Sequence, residues 1–253
     1  MTVWLTALLV FSRMGGLLMS MPVVSAAGVP KHVQVLGAVA LTAVLTPVVP
    51  GIESPDSVGA LILASGSEVG IGLLMGFIVS TMFGALHLAT ELMSVQAGFG
   101  MAAMFNPFAK ATGGPLGSLA GWLAALGFLS LGLHHDLLIL LGESFQLLPA
   151  GQLVQPGQAA PVVIELTGNV ILLGVQLAGP VILLVWLLNI FVAVLTRLAP
   201  RMNVYFSVGT LMTPIAAILL FSISLPWLLE VHMNEMAGSL EAAAAALHML
   251  SGG

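Results

Sequence analysis

Apolar residues run along this chain in six long stretches, about Val3–Met21, Val33–Val49, Val69–Phe105, Leu116–Leu141, Val162–Leu198 and Phe206–Leu229. Turn formers stand between them: Gly28-Val29-Pro30, Pro47 to Pro55, Gly113-Gly114-Pro115, Pro149 to Pro161, and Pro200. Such stretches predict helices that cross a membrane. Two are too long for one crossing. At 1.5 Å per residue, Val69–Phe105 and Val162–Leu198 would each reach roughly 55 Å, against a hydrocarbon core of about 30 Å. Each must break inside the bilayer, with Gly179-Pro180 as a kink point in the second, or project beyond it under cover of other subunits. Gly66 and Gly70, like Gly72 and Gly76, lie one turn apart and predict closely approaching helices. The alanine run Ala242–Ala246 predicts a short amphipathic tail helix.

Composition removes the alternatives. Of 253 residues, 59% are hydrophobic and 6% charged, whereas a soluble domain carries about 25% charged residues. The expected fold is all-α: one polytopic membrane domain, 1–253, with about six apolar helices. The net charge of −5 includes no basic patch for nucleic acid, and the absence of cysteine excludes disulfides and thiolate chemistry. Residues 3–21 have the apolar core of a signal peptide. No Lys or Arg precedes them and Arg13 interrupts them, so the segment is expected to be retained. An outside N-terminus and six crossings put Lys31, Lys110, Arg197 and Arg201 inside, and Glu53, Asp56, Glu143, Glu230, Glu235 and Glu241 outside, as positive-inside counting favours.

The few polar groups suggest little chemistry. His134, His135 and Asp136 are adjacent, with Glu143 two turns on. Neighbours on a helix diverge by about 100°, so a polar helix end is expected rather than a metal site. His87 and Glu91 lie four apart in an apolar segment; an interior polar pair and a proton path both remain open. Arg13 either snorkels or pairs with an acid of a neighbouring helix. No nucleophile elbow, phosphate loop or dinucleotide fingerprint appears, so neither an enzyme nor a cofactor is expected. The most informative stretch is "GFGMAAMFNPFAKATGGP", residues 98–115. Met101 and Met104 share a helical face with Phe105 and, one turn on, Phe108. Pro107 ends that helix, and Gly113 and Gly114 free the backbone before the next. A packed helix end and a pliable apolar loop both fit.

The order of "FSRMGGLLMSMPVVSAAGVPKHVQ", "ELMSVQAGFGMAAMFNP", "GLHHDLLILLGESFQLLPAG" and "RLAPRMNVYFSVG" resembles the R-subunit family of type III export gates, over nearly the whole chain. That family has flagellar (FliR) and injectisome (SctT) branches, and "NVYFSVG" is more similar to the flagellar one. The resemblance implies a helical hetero-oligomer with P- and Q-type subunits (FliP, FliQ), beside FlhB and FlhA, in the bacterial inner membrane at the flagellar basal body. Unfolded flagellar proteins would leave through its pore. It implies a plug at Gly98–Pro115, with Phe105 and Phe108 as closing residues. It also implies a Q-like hairpin at 162–230 whose turn, with Arg197 and Arg201, faces the cytoplasm. Many relatives carry an acid before the plug proline; Asn106 stands there in this chain. The competing expectation is a proton-coupled or small-molecule secondary transporter, which would want broken helices in two similar halves.

Overall fold

The structure, a computed structural model, describes residues 2–21, 29–51, 57–99, 114–153, 157, 160–198 and 209–251. Among these there are seven helices and no strand: α1 (Thr2–Ser20), α2 (Lys31–Leu45), α3 (Val58–Gln96), α4 (Gly114–Ser130), α5 (Leu133–Leu147), α6 (Ala160–Leu198) and α7 (Thr210–Leu250). Four are long and apolar enough to cross a membrane, and α4 with α5, bent by 64°, makes a fifth candidate. The fold is that of an all-helical polytopic membrane protein.

The elements differ from the apolar stretches in instructive ways. The third stretch was expected to reach Phe105, but α3 stops at Gln96. Gly98 takes a left-handed φ of 82°, the Phe99 amide donates to the Ser94 carbonyl at 3.1 Å, and the Gly98 amide donates to Val95 at 3.1 Å. These are the two bonds of a Schellman stop, and Phe99 packs onto the core beyond it. The fourth stretch divides at Gly132, whose φ of 74° starts α5 in a new direction. The expected kink at Gly179-Pro180 does not interrupt α6, which is helical for 39 residues through Pro180. Leu177, Ala178 and Val181 are buried on both sides of the proline, so packing holds the helix where one backbone bond is missing. The tail is no separate helix: α7 runs 41 residues through Pro214, Pro226 and Glu230. A third overlong helix thus joins the two expected.

The chain divides into two compact units, one made of 1–82, 128–167 and 235–253, the other of 83–127 and 168–234. In the first, α1 presents Leu9, Val10, Met14 and Leu17 to the interior at helical spacing, and α2 packs against it. The approach of α1 to α3 is backbone to backbone. A Cβ on Gly16 would lie 2.5 Å from the Val69 carbonyl oxygen, and one on Gly72 would collide with the carbonyl of Arg13. In the second unit, Leu86, Ala89 and Met93 of α3, with Ala97 just past its end, meet Leu116, Ala120 and Ala124 of α4, Leu177 to Val185 of α6, and Ala217, Phe221 and Leu228 of α7. Six of these fourteen residues are alanine, which lets the helices approach closely, as in helix pairs that lack water to drive them together.

Candidate functional site

The most elaborate polar constellation lies in the first unit and is fully enclosed. Arg13 sits on the buried face of α1, and Glu68 on the face of α3 shared by Ala64, Ile71 and Met75; both side chains are 0% exposed. The glycine contact between the two helices brings the charges together. Arg13 Nε donates to Glu68 Oε2 at 2.6 Å, Nη1 to Ser144 Oγ at 3.0 Å, and Nη2 to the Leu148 carbonyl at 2.9 Å. Ser144 Oγ in turn donates to the Leu141 carbonyl at 2.7 Å. Glu68 Oε1 accepts from the Gly151 amide at 2.8 Å, and the Phe145 ring lies 3.9 Å from the guanidinium carbon.

All three guanidinium nitrogens and both carboxylate oxygens are thereby engaged. The Leu148 carbonyl follows the end of α5, where a cation complements the helix dipole. Its one hydroxyl, Ser144 Oγ, is engaged by the guanidinium and the Leu141 carbonyl. It is a clasp that ties α1, α3, α5 and the following turn into one piece.

The other expected residues are scattered. Met101, Met104, Phe105, Phe108, Gly113 and Arg201 lie outside the described residues; Gly114 opens α4 and Arg197 is exposed in the last turn of α6. Arg13 is the buried partner of an acid, one of its two expected fates. His87 is exposed and Glu91 half-buried on α3, with Glu91 Oε2 enclosed and without a hydrogen-bond partner. His134 and His135 stack with ring centroids 4.2 Å apart in the first turn of α5, beside Asp136. Among the described residues, no group of three or more such side chains could hold a metal.

Glu68 escaped the sequence reading because it stands one residue before the apolar stretch that begins at Val69. Its signal was there: an acid between Gly66 and Gly70, on a helix face with no cation of its own, and an Arg13 in need of one.

A family model described as bacterial export proteins, family 1, matches residues 4–239. The chain belongs to that family. Within it, this export protein is 27% identical over 221 residues to the flagellar biosynthetic protein FliR of Caulobacter vibrioides, covering 87% of this chain and 88% of that one. Against the FliR protein of Escherichia coli the identity is 30% over 194 residues, 76% and 74% of the two chains. Against the Yop proteins translocation protein T of Yersinia pestis it is 28% over 162 residues, 63% and 62%. The R-subunit family of type III export gates, to which the motif order pointed, is therefore the family of this chain. Its α1, α3, α4, α6 and α7 supply the apolar helices of an integral membrane component of a protein export apparatus.

Proposed function

We propose that this chain is the R-type subunit of a flagellar type III export gate. With P- and Q-type subunits, and beside FlhB and FlhA, it forms the pore through which unfolded substrates cross the bacterial inner membrane. One structural observation carries the assembly. Helices α3, α6 and α7, of 39, 39 and 41 residues, reach about 58 to 61 Å, twice the hydrocarbon core. Large apolar side chains stay exposed along them, among them Ile62, Ile171, Leu187, Phe191 and Ile223. Lipid covers only half such a length, so protein must cover the rest. The wider coverage of the flagellar relatives favours the flagellar branch. The unbroken α6 speaks against a transporter with broken helices.

In this reading residues 98–115 are the stopper. Met101, Met104, Phe105 and Phe108 exclude water and ions from a narrow pore by dewetting. The capped end of α3 and the start of α4 at Gly114 are its anchors. The hairpin of α6 and α7, joined in the second unit by Thr213 Oγ1 to Asn189 Oδ1 at 3.4 Å, is the Q-like part, with Arg197 and Arg201 toward the cytoplasm.

Two measurements test the proposal. Expressed with its neighbouring genes, the chain should emerge in one large hetero-oligomer of defined mass; recovery as a stable lone monomer would refute the assembly. A cysteine replacing Asn203, in a chain that has none of its own, should resist an impermeant reagent in intact cells. Labelling from outside would invert the topology.

A further inference from the structure

Within the first unit, α3 lines an apolar groove of about 730 Å³. The groove runs along α3 from Ile62 to Phe77 and is bordered by Leu153, by Val163 near the start of α6 and by Leu250 at the end of α7. Gly66 and Gly70 leave its middle bare: a Cβ on either would meet nothing within 4 Å. The border at Leu153 is fixed by the clasp. Arg13 holds the preceding turn at the Leu148 carbonyl and Glu68 holds it at the Gly151 amide, while the Ser67 hydroxyl donates to the Gln152 carbonyl at 3.0 Å.

Shape and chemistry select the occupant. From Ile62 to Phe77 the groove runs about 22 Å, so its cross-section averages about 33 Å², about 6 to 7 Å wide. Carbon atoms in contact lie about 4 Å apart, so a hydrocarbon chain fits that width. A helix, about 10 to 12 Å across with its side chains, would rest on the rim. The length exceeds the roughly 15 Å that one leaflet contributes to a hydrocarbon core of about 30 Å. Ser67 is the one polar side chain of the lining among the described residues, and its hydroxyl is already engaged by Gln152. No lining group is charged, so neither a free fatty-acid carboxylate nor a polar solute finds a partner there. The groove falls inside Val58–Thr81, a stretch long and apolar enough to cross a membrane, where the surrounding solvent is itself hydrocarbon. Left empty, the groove would forfeit contacts that such a chain supplies.

We propose that this groove holds one acyl chain of a membrane phospholipid, retained along α3 as a structural lipid. The site is built by this chain alone and does not depend on the export-gate reading. On α3 it marks part of the length that lipid rather than protein covers.

The test uses the chain expressed with its neighbouring genes. Gly66→Leu/Gly70→Leu fills the groove where a Cβ meets no other atom, so the variant should keep the parent's melting temperature. After delipidation in detergent, native mass should find one phospholipid fewer on the variant than on the parent. Equal retention would overturn the proposal. So would loss of the hetero-oligomer in the variant, the result for a seat that takes a partner helix. If the variant does not fold, the parent decides. In phosphatidylcholine vesicles containing a lipid with a diazirine in its acyl chain, illumination should label Leu63 and Leu73 several-fold more than Leu36 and Val39, which are exposed on α2, because a bound chain dwells in the groove. Equal labelling, as for ordinary lipid contact, or an unlabelled groove, as for one covered by another subunit, would overturn it. A parent that yields no hetero-oligomer brings down the export-gate reading alone; the lipid count and the labelling are then taken on the chain itself.

Discussion

Arg13 shows how one residue can be both a liability and a fastener. A guanidinium with 0% exposure costs several kcal/mol to desolvate, and its attraction to Glu68 offsets that only because Ser144, Leu148 and Gly151 complete the bonding. Removing one partner strands the other. Arg13→Ala should therefore destabilise the chain by about 3–5 kcal/mol, and Glu68→Ala by a similar amount. Arg13→Met/Glu68→Met, apolar at both positions, should lie closer to the parent than either. Thermal unfolding in detergent, followed by helical circular dichroism, ranks the three. A double variant worse than both singles would mean that the pair gives net stability beyond mutual neutralisation. His232 is the counterexample in the same molecule: it is buried in α7 with both ring nitrogens lacking a hydrogen-bond partner, and nothing in the structure explains why it is retained.

At the scale of elements, the two glycine pairs of α3 are not equivalent. Gly72 and Gly76 face α1, where a Cβ on either would strike backbone or side-chain atoms; at Gly66 and Gly70 a Cβ would meet nothing within 4 Å. Gly72→Ala should thus force α1 away, loosen the Arg13–Glu68 clasp and lower the melting temperature. Gly70→Ala should leave the lone chain unchanged or, through helix propensity, more stable by up to about 1 kcal/mol. Equal effects of the two, measured by the same unfolding assay, would show that α1 and α3 do not touch as described. Sequence spacing marked both pairs alike. The distinction needs a partner helix, and local pattern contains none.

At the scale of the whole molecule, the proposed stopper makes the decisive prediction. If Met101, Met104, Phe105 and Phe108 close a pore, replacing them with serine should wet the constriction and let ions pass, and deleting Phe105–Thr112 should do more. The complex should still assemble, while the membranes leak and growth slows. If these residues instead pack a core, the same changes should cost about 2–5 kcal/mol each and the complex should be lost. Native mass and conductance, taken on the same membranes, separate the outcomes, and normal assembly with unchanged conductance would refute the stopper. Topology belongs to this scale too. Six crossings require α2, whose 15 residues reach about 22 Å. The hydrogen-bonded turns that carry it on to Val49 bring it to about 28 Å, close to the hydrocarbon core.

By itself the sequence determined the class, the helicity and the family. So few charges on so many apolar residues have no folded solution in water, long apolar runs satisfy their backbone in lipid only as helices, and the order of the motifs carried the kinship. Tertiary structure decided where those helices stop and what they meet. α3 ends at Gln96 because Gly98 can adopt φ 82° and Phe99 finds a core to sit on, although the apolar pattern continues for several residues. α7 passes Glu230 because Met236, Leu240, Ala243, Leu247 and Leu250 recur at helical spacing and are buried, which gives its polar half something to cover. Arg13 finds Glu68 across 55 residues of chain. Helical periodicity put each of them on an inward face, but the pairing depends on how closely two backbones approach, and that distance was set by Gly16 against Val69 and Gly72 against Arg13.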